Sequence, residues 1–473
     1  MIAKRIYINT IGCQMNVYDS EQIAGHLALL GYQQTASPET ADLIIVNTCT
    51  IREKAEQKAY SFLGRLARLK RKKSNLIIGI GGCVAQQDGE RILGRLPFVD
   101  IVFGTQAIHR LPIWIRQIEE KRCQVVDIKM DDDARAPESI VGLHSETQSS
   151  RFVTIMRGCD NYCAYCVVPF VRGRETSRQP DSIIKEIRTL VANGVKEVTL
   201  LGQNVNSYGK KEGLCSFAEL LVRINGIERL MRIRFTTSHP KDLNDDLIGL
   251  FNHLKKLCHY IHLPVQSGSN KILKLMNRNY TRELYLDKVS KLRDTCSDIA
   301  VTSDIIVGFP GETDADFEAT LDLIKAVHYD GLFAFKYSDR PRAPAVDYPD
   351  KVSESQKNER LQILLAMQDA ITRAKNQALV GSIQEILTDG FSKKEISAKS
   401  ANASQPAQAT GRTFTNKIVN FYLDGDAENS GDIATGKLLN VRIEKALAHS
   451  LWGKPLVGAT TAKGVKGVES YAA

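Results

Sequence analysis

No stretch of this chain is apolar for the roughly 20 consecutive residues that a membrane-spanning helix needs. The opening residues, MIAKRIYINTIG, lack the apolar core and cleavage site of a secretory leader and pass directly into a strand-like alternation. A membrane protein and a secreted one are therefore not expected; a cytoplasmic location is. A cysteine framework is missing too. The ten cysteines fall at 13, 49, 83, 123, 159, 163, 166, 215, 258 and 296, and only 159, 163 and 166 are close together. In a reducing cytoplasm a disulfide framework is not expected, and the close clustering of those three points to metal or redox chemistry instead. Acidic excess is absent as well: the formal charge is +9, which suits a polyanionic partner without requiring one.

What is present is a repeated alternation of apolar runs and helical patterns across 473 residues, enough for several domains. Over residues 1–127 the runs KRIYINTIG, ADLIIVNTC, NLIIGIGGC and VDIVFG alternate with SEQIAGHLALLGY and EKAEQKAYSFLGRLARLKRKK. This pattern predicts βαβ units and a parallel sheet. Residues 128–150 are polar and read as a linker. From 151 to about 340, RFVTIMRG, KEVTLLGQ, RIRFTTS, YIHLPVQ, VTSDIIVGF and GLFAFKYS give six strands separated by helices. Six β/α units are too few for a closed eight-stranded barrel and predict a partial one, with functional groups at the C-terminal strand ends. The domain extends through a long helix to 375. Residues 376–456 switch to short alternating runs broken by Gly, Asn and Asp, the pattern of a small antiparallel β-barrel, with KKEISAKSANASQPAQATGRTFT as a loop. Residues 457–473 are small and polar and read as a flexible tail. The fold class is thus α/β with an added β-barrel.

The segment RGCDNYCAYCVVPFVRGRE carries C-x3-C-x2-C at Cys159, Cys163 and Cys166. Soft thiolates select zinc or iron–sulfur clusters. Three ligands within eight residues can hold three corners of a 4Fe–4S cube and leave the fourth iron open. A zinc site completed by His262 or another cysteine is the alternative. Cys13, Cys49 and Cys83 are too far apart for a local motif, yet each closes an apolar strand: YINTIGC, LIIVNTC, IIGIGGC. If those strands are adjacent and parallel, the three thiols emerge at one sheet edge, where open α/β folds bind ligands. Gly12, Gly81 and Gly82 would admit a bulky group. The alternative is three buried core cysteines. Cys123, Cys215, Cys258 and Cys296 read as structural. Arg172, Arg174 and Arg178 could meet phosphates or be salt-bridged. Lys70, Arg71, Lys72 and Lys73 form a basic helix end.

C-x3-C-x2-C with Tyr165 before its last cysteine resembles the signature of the radical S-adenosylmethionine superfamily. GCQMNVYDSE, NTCTIREKA and GGCVAQ resemble the N-terminal motifs of its methylthiotransferase family, and GRTFTNKIVNF with VRIEKALAHSLWG is similar to the RNA-binding TRAM domain. The resemblance spans nearly the whole chain. It implies two 4Fe–4S clusters, one on Cys13, Cys49 and Cys83 and one on Cys159, Cys163 and Cys166. It also implies two molecules of S-adenosylmethionine, one giving a methyl group to sulfur on the first cluster and one yielding a 5′-deoxyadenosyl radical at the second. Cofactor contacts are implied at Tyr165, at Gly202 and Gln203 (with Asn204) after the second barrel strand, at Ser238, at Gln266, and at Gly308 and Pro310 in GFPGET. The implied substrate is prenylated adenosine beside a tRNA anticodon, with a flavodoxin or ferredoxin as reductant and a monomeric enzyme. Sister activities, on threonylcarbamoyl-adenosine or on a ribosomal-protein aspartate, share these motifs. A noncatalytic iron–sulfur RNA-binding protein is disfavoured, because electron carriers bind their cluster through four ligands. One departure stands out: relatives read close to YSxRxGTPA where this chain has YSDRPRAPA, so Arg342 and Ala343 replace a Gly-Thr pair.

Overall fold

A computed structural model describes residues 4–50, 53–130, 148–391, 408–422 and 435–456. It forms two compact units, residues 1–146 with 150–368, and 147–149 with 369–473. Most of the expected linker, much of the polar segment before residue 408, and the whole tail lie outside the described residues. No helix among the described residues is long and apolar enough to cross a membrane.

The first unit begins with a six-stranded parallel sheet made of β1 (Lys4–Ile11), β2 (Tyr32–Gln34), β3 (Leu43–Thr48), β4 (Ile77–Gly82), β5 (Ile101–Phe103) and β6 (Val125–Asp127). The order is β2-β1-β3-β4-β5-β6. Its central strands are buried along their whole length, because helices cover both faces. Alternate residues serve the two cores: Leu43 and Ile45 pack with Ile23, Leu27 and Ile115, whereas Ile44 and Val46 pack with Leu63, Leu66 and Ile92. The chain steps from β1 outward to β2 and then returns to the other side of β1. This places the topological switch point between β1 and β3, and ligands of open α/β folds bind in the crevice at such a point.

The same unit continues as six parallel barrel strands: β7 (Ser150–Thr154), β10 (Glu197–Leu201), β11 (Arg232–Phe235), β12 (Tyr260–His262), β13 (Ala300–Val307) and β14 (Gly331–Lys336). They pair as two three-stranded ladders, joined by a parallel bridge between Ile233 and Leu257. All six anticipated strands are present. Between β7 and β10, the short antiparallel pair β8 (Met156–Arg157) and β9 (Thr176–Ser177) closes the base of the segment that carries Cys159, Cys163 and Cys166.

The second unit is a closed five-stranded barrel, in the order β15 (Ile383–Phe391), β16 (Gln408–Thr413), β17 (Ile418–Tyr422), β19 (Leu451–Pro455), β18 (Leu438–Ala446). Its pairs are antiparallel except β17 with β19, which is parallel. Ile386, Val419, Phe421, Val441 and Ile443 fill it. One expectation is corrected here. Gln408–Thr413, assigned by its polarity to a loop, is a strand whose inward positions are Ala409, Gly411 and Thr413, small residues that leave almost no apolar signal.

Candidate metal centres

β1, β3 and β4 lie side by side and end level, with Ile11 opposite Thr48 and Thr48 opposite Gly82. Cys13, Cys49 and Cys83 follow those ends and converge. The Cys49 thiol hydrogen-bonds to both Cys13 and Cys83. That contact holds Cys13 down to about 6 against the opposing effect of burial, with help from the Arg172 guanidinium. Cys83 is lowered by the same two neighbours. Asn16 locks the arrangement. Its Oδ1 accepts from the Cys13 backbone N–H (3.2 Å) and thiol (3.3 Å), and its Nδ2 donates to Asn47 Oδ1 (3.1 Å) and the Thr48 carbonyl (3.0 Å). The glycines at these strand ends are packed against the protein itself and do not open room for a bulky group: a Cβ at Gly12 would stand 2.3 Å from Asn16 Oδ1 and one at Gly81 2.3 Å from the Phe103 ring. At Gly82, with φ +89°, a Cβ would stand 2.3 Å from the Thr48 carbonyl oxygen.

Cys159, Cys163 and Cys166 sit in the loop between β8 and β9. Asn161 donates to the Cys159 sulfur (3.4 Å) and the Val168 N–H to the Cys166 sulfur (3.5 Å). The buried Arg278 lies 3.5 Å from the Cys163 sulfur and is itself held by the Pro264 carbonyl (2.6 Å). Burial pushes Cys159 up to about 11 and Cys166 up to about 12, a penalty that a bound cation removes, since a coordinated thiol is deprotonated outright. Gly158, at φ +72°, lets the loop fold back onto the Arg174 and Gly173 carbonyls. Tyr165 is packed beside Phe309 and Tyr337, with its hydroxyl 3.5 Å from Arg278.

The segments that carry the two triads pack together. Cys83 forms one buried cluster with Val167, which directly follows Cys166, and with Val171 and Ala343. Arg172, five residues further along, pairs with Asp19 of the helix Gln14–Ala28 at 2.8 Å, both side chains being largely buried. The Thr105 hydroxyl donates to the Val171 carbonyl (2.7 Å) across the same seam. The donor sets fit clusters better than single ions. Among the described residues, the ligand trio lying within 4.8 Å of one another is His259, Cys296 and Asp298. No fourth cysteine, histidine or carboxylate among those residues joins either cysteine triad in such a group, whereas a structural zinc takes four protein ligands. His262 instead contacts Thr302 and Asp304. Each triad also has a buried guanidinium beside it, Arg172 or Arg278, which can offset the negative charge of thiolates.

The mouth of the barrel carries the other anticipated residues. Gln203 Oε1 and Ser238 Oγ, after β10 and β11, are buried with no hydrogen-bond partner among the described residues, as are both amide atoms of Asn206 and Nε2 of His239. Buried polar groups rarely stay unpaired, so this set fits a polar ligand. Strain gathers there too. Thr237 (φ 70°) and Gln266 (φ 75°) are left-handed without being glycine. Gly308 (φ 71°), ahead of buried Pro310, donates its N–H to Glu312 (2.8 Å), which Arg360 holds at 2.8 Å. Other anticipated residues have structural duties. Gly202 makes room for Met156, and Asn204 ties Asp242 (2.8 Å) to the His239 backbone (3.1 Å). Arg174 pairs with Asp160, Arg178 with Glu186, Lys70 with Asp100 and Lys73 with Asp42. Asn16, Asp19, Arg278, Asn206 and His239 were not anticipated. Only Asn16 had a usable signal, three residues after a strand-end cysteine where a helix cap belongs.

Residues 5–104 match the model described as uncharacterized protein family UPF0004, and residues 153–324 match the radical SAM superfamily. The chain is 52% identical over 452 residues to a tRNA-2-methylthio-N(6)-dimethylallyladenosine synthase of Desulfosudis oleivorans, covering 95% of this chain and 96% of that one. It is 53% identical over 454 residues to the protein of that name from Syntrophus aciditrophicus, covering 96% and 95%. In fold it is similar to the radical S-adenosylmethionine methyltransferase TsrM of Kitasatospora setae, with a TM-score of 0.53 and 14% identity over 72% of this chain and 75% of that one.

Proposed function

The chain belongs to the tRNA-2-methylthio-N6-dimethylallyladenosine synthase family of radical S-adenosylmethionine enzymes, and we propose that its two cysteine triads, one at strand ends and one in the β8–β9 loop, hold the two 4Fe–4S clusters of that chemistry. It is a tRNA methylthiotransferase that converts N6-dimethylallyladenosine beside the anticodon into its 2-methylthio derivative. In this reading Cys159, Cys163 and Cys166 hold the cluster at which S-adenosylmethionine is reduced, and Cys13, Cys49 and Cys83 hold the cluster that carries the sulfur. When bound, these groups supply hydrogen abstraction at carbon 2 of the base and a sulfur methylated by a second S-adenosylmethionine.

The chain's own residues bind and orient. Gln203, Ser238, Asn206 and His239 offer buried polar atoms to S-adenosylmethionine, with Tyr165, Gln266, Gly308 and Pro310 shaping the walls. Burial holds the His239 imidazole neutral, and its Nδ1 accepts from the Lys241 N–H (3.3 Å), so its unpaired Nε2 carries the hydrogen and can donate a hydrogen bond to that ligand. Arg172 and Arg278 offset thiolate charge. The observation that carries the reading is the packing of Cys83 on Val167, beside Cys166. Hydrogen abstraction and sulfur delivery must both reach one carbon, so the two triads must open onto one place.

The proposed division is 1–127 for the sulfur-carrying domain, 128–150 for a linker, 151–375 for the radical domain, 376–456 for an RNA-binding barrel and 457–473 for a tail. The exposed Tyr422, stacked edge-on against Trp452 with ring centroids 4.7 Å apart, suits RNA bases. A monomer in the cytoplasm, reduced by a flavodoxin or ferredoxin, completes the proposal. Nucleoside analysis of tRNA from a strain lacking this protein is expected to show N6-dimethylallyladenosine without its methylthio group. Undiminished methylthio product would contradict the assignment.

A further inference from the structure

The departure at Arg342 has a defined geometry. Arg340–Ala343 is a tight turn closed by the Ala343 N–H donating to the Arg340 carbonyl at 3.1 Å. Pro341 occupies its second position, where a fixed φ near −65° suits a type II turn. The third position of that turn requires positive φ and selects glycine. Arg342 occupies it at φ 70°. An arginine there bears a strain that glycine would not, and it makes no hydrogen bond or ion pair within the described residues that would compensate.

The turn's position is equally defined. Ala343 is buried against Cys83, Val167 and Val171, and the Ala345 N–H donates to the carbonyl of Ala164, inside the C-x3-C-x2-C loop, at 2.8 Å. Both cysteine triads therefore anchor the turn, and Arg342 projects from it as an exposed side chain. In the proposed function the modified base must approach both triads, and an RNA doing so would bring its flanking phosphates near this turn. Such a phosphate is the ligand that an exposed, otherwise unpaired guanidinium recognises best.

We infer that Arg342 is a substrate-positioning residue that binds a backbone phosphate of the RNA next to the nucleotide being modified. The inference rests on the proposed tRNA-modifying function. The test measures RNA affinity of the reconstituted holoenzyme, across a salt series, for an anticodon stem–loop carrying N6-dimethylallyladenosine. Wild type is compared with Arg342→Gly and Arg342→Lys. Glycine suits the turn, so Arg342→Gly is expected to fold and to keep its iron. Its affinity at low salt is expected to fall about fivefold, and the slope of log K against log salt to shrink by roughly 0.7–0.9, the contribution of one phosphate contact. Arg342→Lys is expected to keep the slope. Equal affinity and slope in wild type and Arg342→Gly would overturn the inference alone. Failure of the wild type to bind the stem–loop would overturn the function on which it rests.

Discussion

Replacing Cys159, Cys163 and Cys166 together with alanine is expected to abolish release of 5′-deoxyadenosine from S-adenosylmethionine while leaving half of the iron in place. The basis is spatial independence of ligation. Each triad is built from its own elements: three parallel strand ends for Cys13, Cys49 and Cys83, and one loop closed by β8 and β9 for the others. After anaerobic reconstitution the wild type should carry about eight irons per chain and the triple variant about four, one cube per triad. The reciprocal variant, with Cys13, Cys49 and Cys83 replaced, should also keep about four irons but retain cleavage. About four irons in the wild type, falling to none in the first variant, would show that the N-terminal thiols hold no cluster.

The second large effect is expected at Arg172. Its guanidinium pairs with Asp19 at 2.8 Å, both side chains being largely buried, and it stands close enough to Cys13 and Cys83 to lower both thiols. Arg172→Met removes the cation and leaves a buried carboxylate facing converging thiolates. Breaking a buried pair from one side costs about 3–5 kcal/mol, because the remaining charge is uncompensated. Arg172→Met should therefore unfold at markedly lower denaturant and lose iron first from the N-terminal triad. Adding Asp19→Asn should restore much of the stability, since the orphaned charge is gone, but not the iron retention, which depends on the guanidinium. Equal iron loss from both triads in Arg172→Met, or no rescue of stability by Asp19→Asn, would contradict this role.

The strands that set the thiols in place were legible in the sequence for a simple reason. LIIVNT and IIGIGG are buried on both faces, so they read as continuous apolar runs ending at a cysteine. The barrel's six strands were legible as short segments rich in apolar residues, each separated from the next by a helical period. The two edge strands of the first sheet, Tyr32–Gln34 and Val125–Asp127, were not, since YQQ and VVD offer only one and two apolar residues and form no apolar run. Gln408–Thr413 was hidden by small inward side chains. The supporting shell was hidden more thoroughly. Arg278 and Asp19 are single charged residues on helical or turn segments, indistinguishable in sequence from solvated ones. Only tertiary packing brings Arg278 beside Cys163, 115 residues away, and Asp19 beside Arg172, 153 residues away. Arg174 and Arg178 show the converse: a basic run after the cysteine motif suggested phosphate contacts, and the folded chain pairs both with carboxylates.

The central claim is that two thiol triads act on one carbon. The most direct test is a reaction of the reconstituted protein with tRNA carrying N6-dimethylallyladenosine and S-adenosylmethionine labelled in its methyl group. The account predicts label in the methylthio group of the product, with both S-adenosylhomocysteine and 5′-deoxyadenosine formed alongside it. Methylthio product without 5′-deoxyadenosine, or product lacking the label, would contradict it.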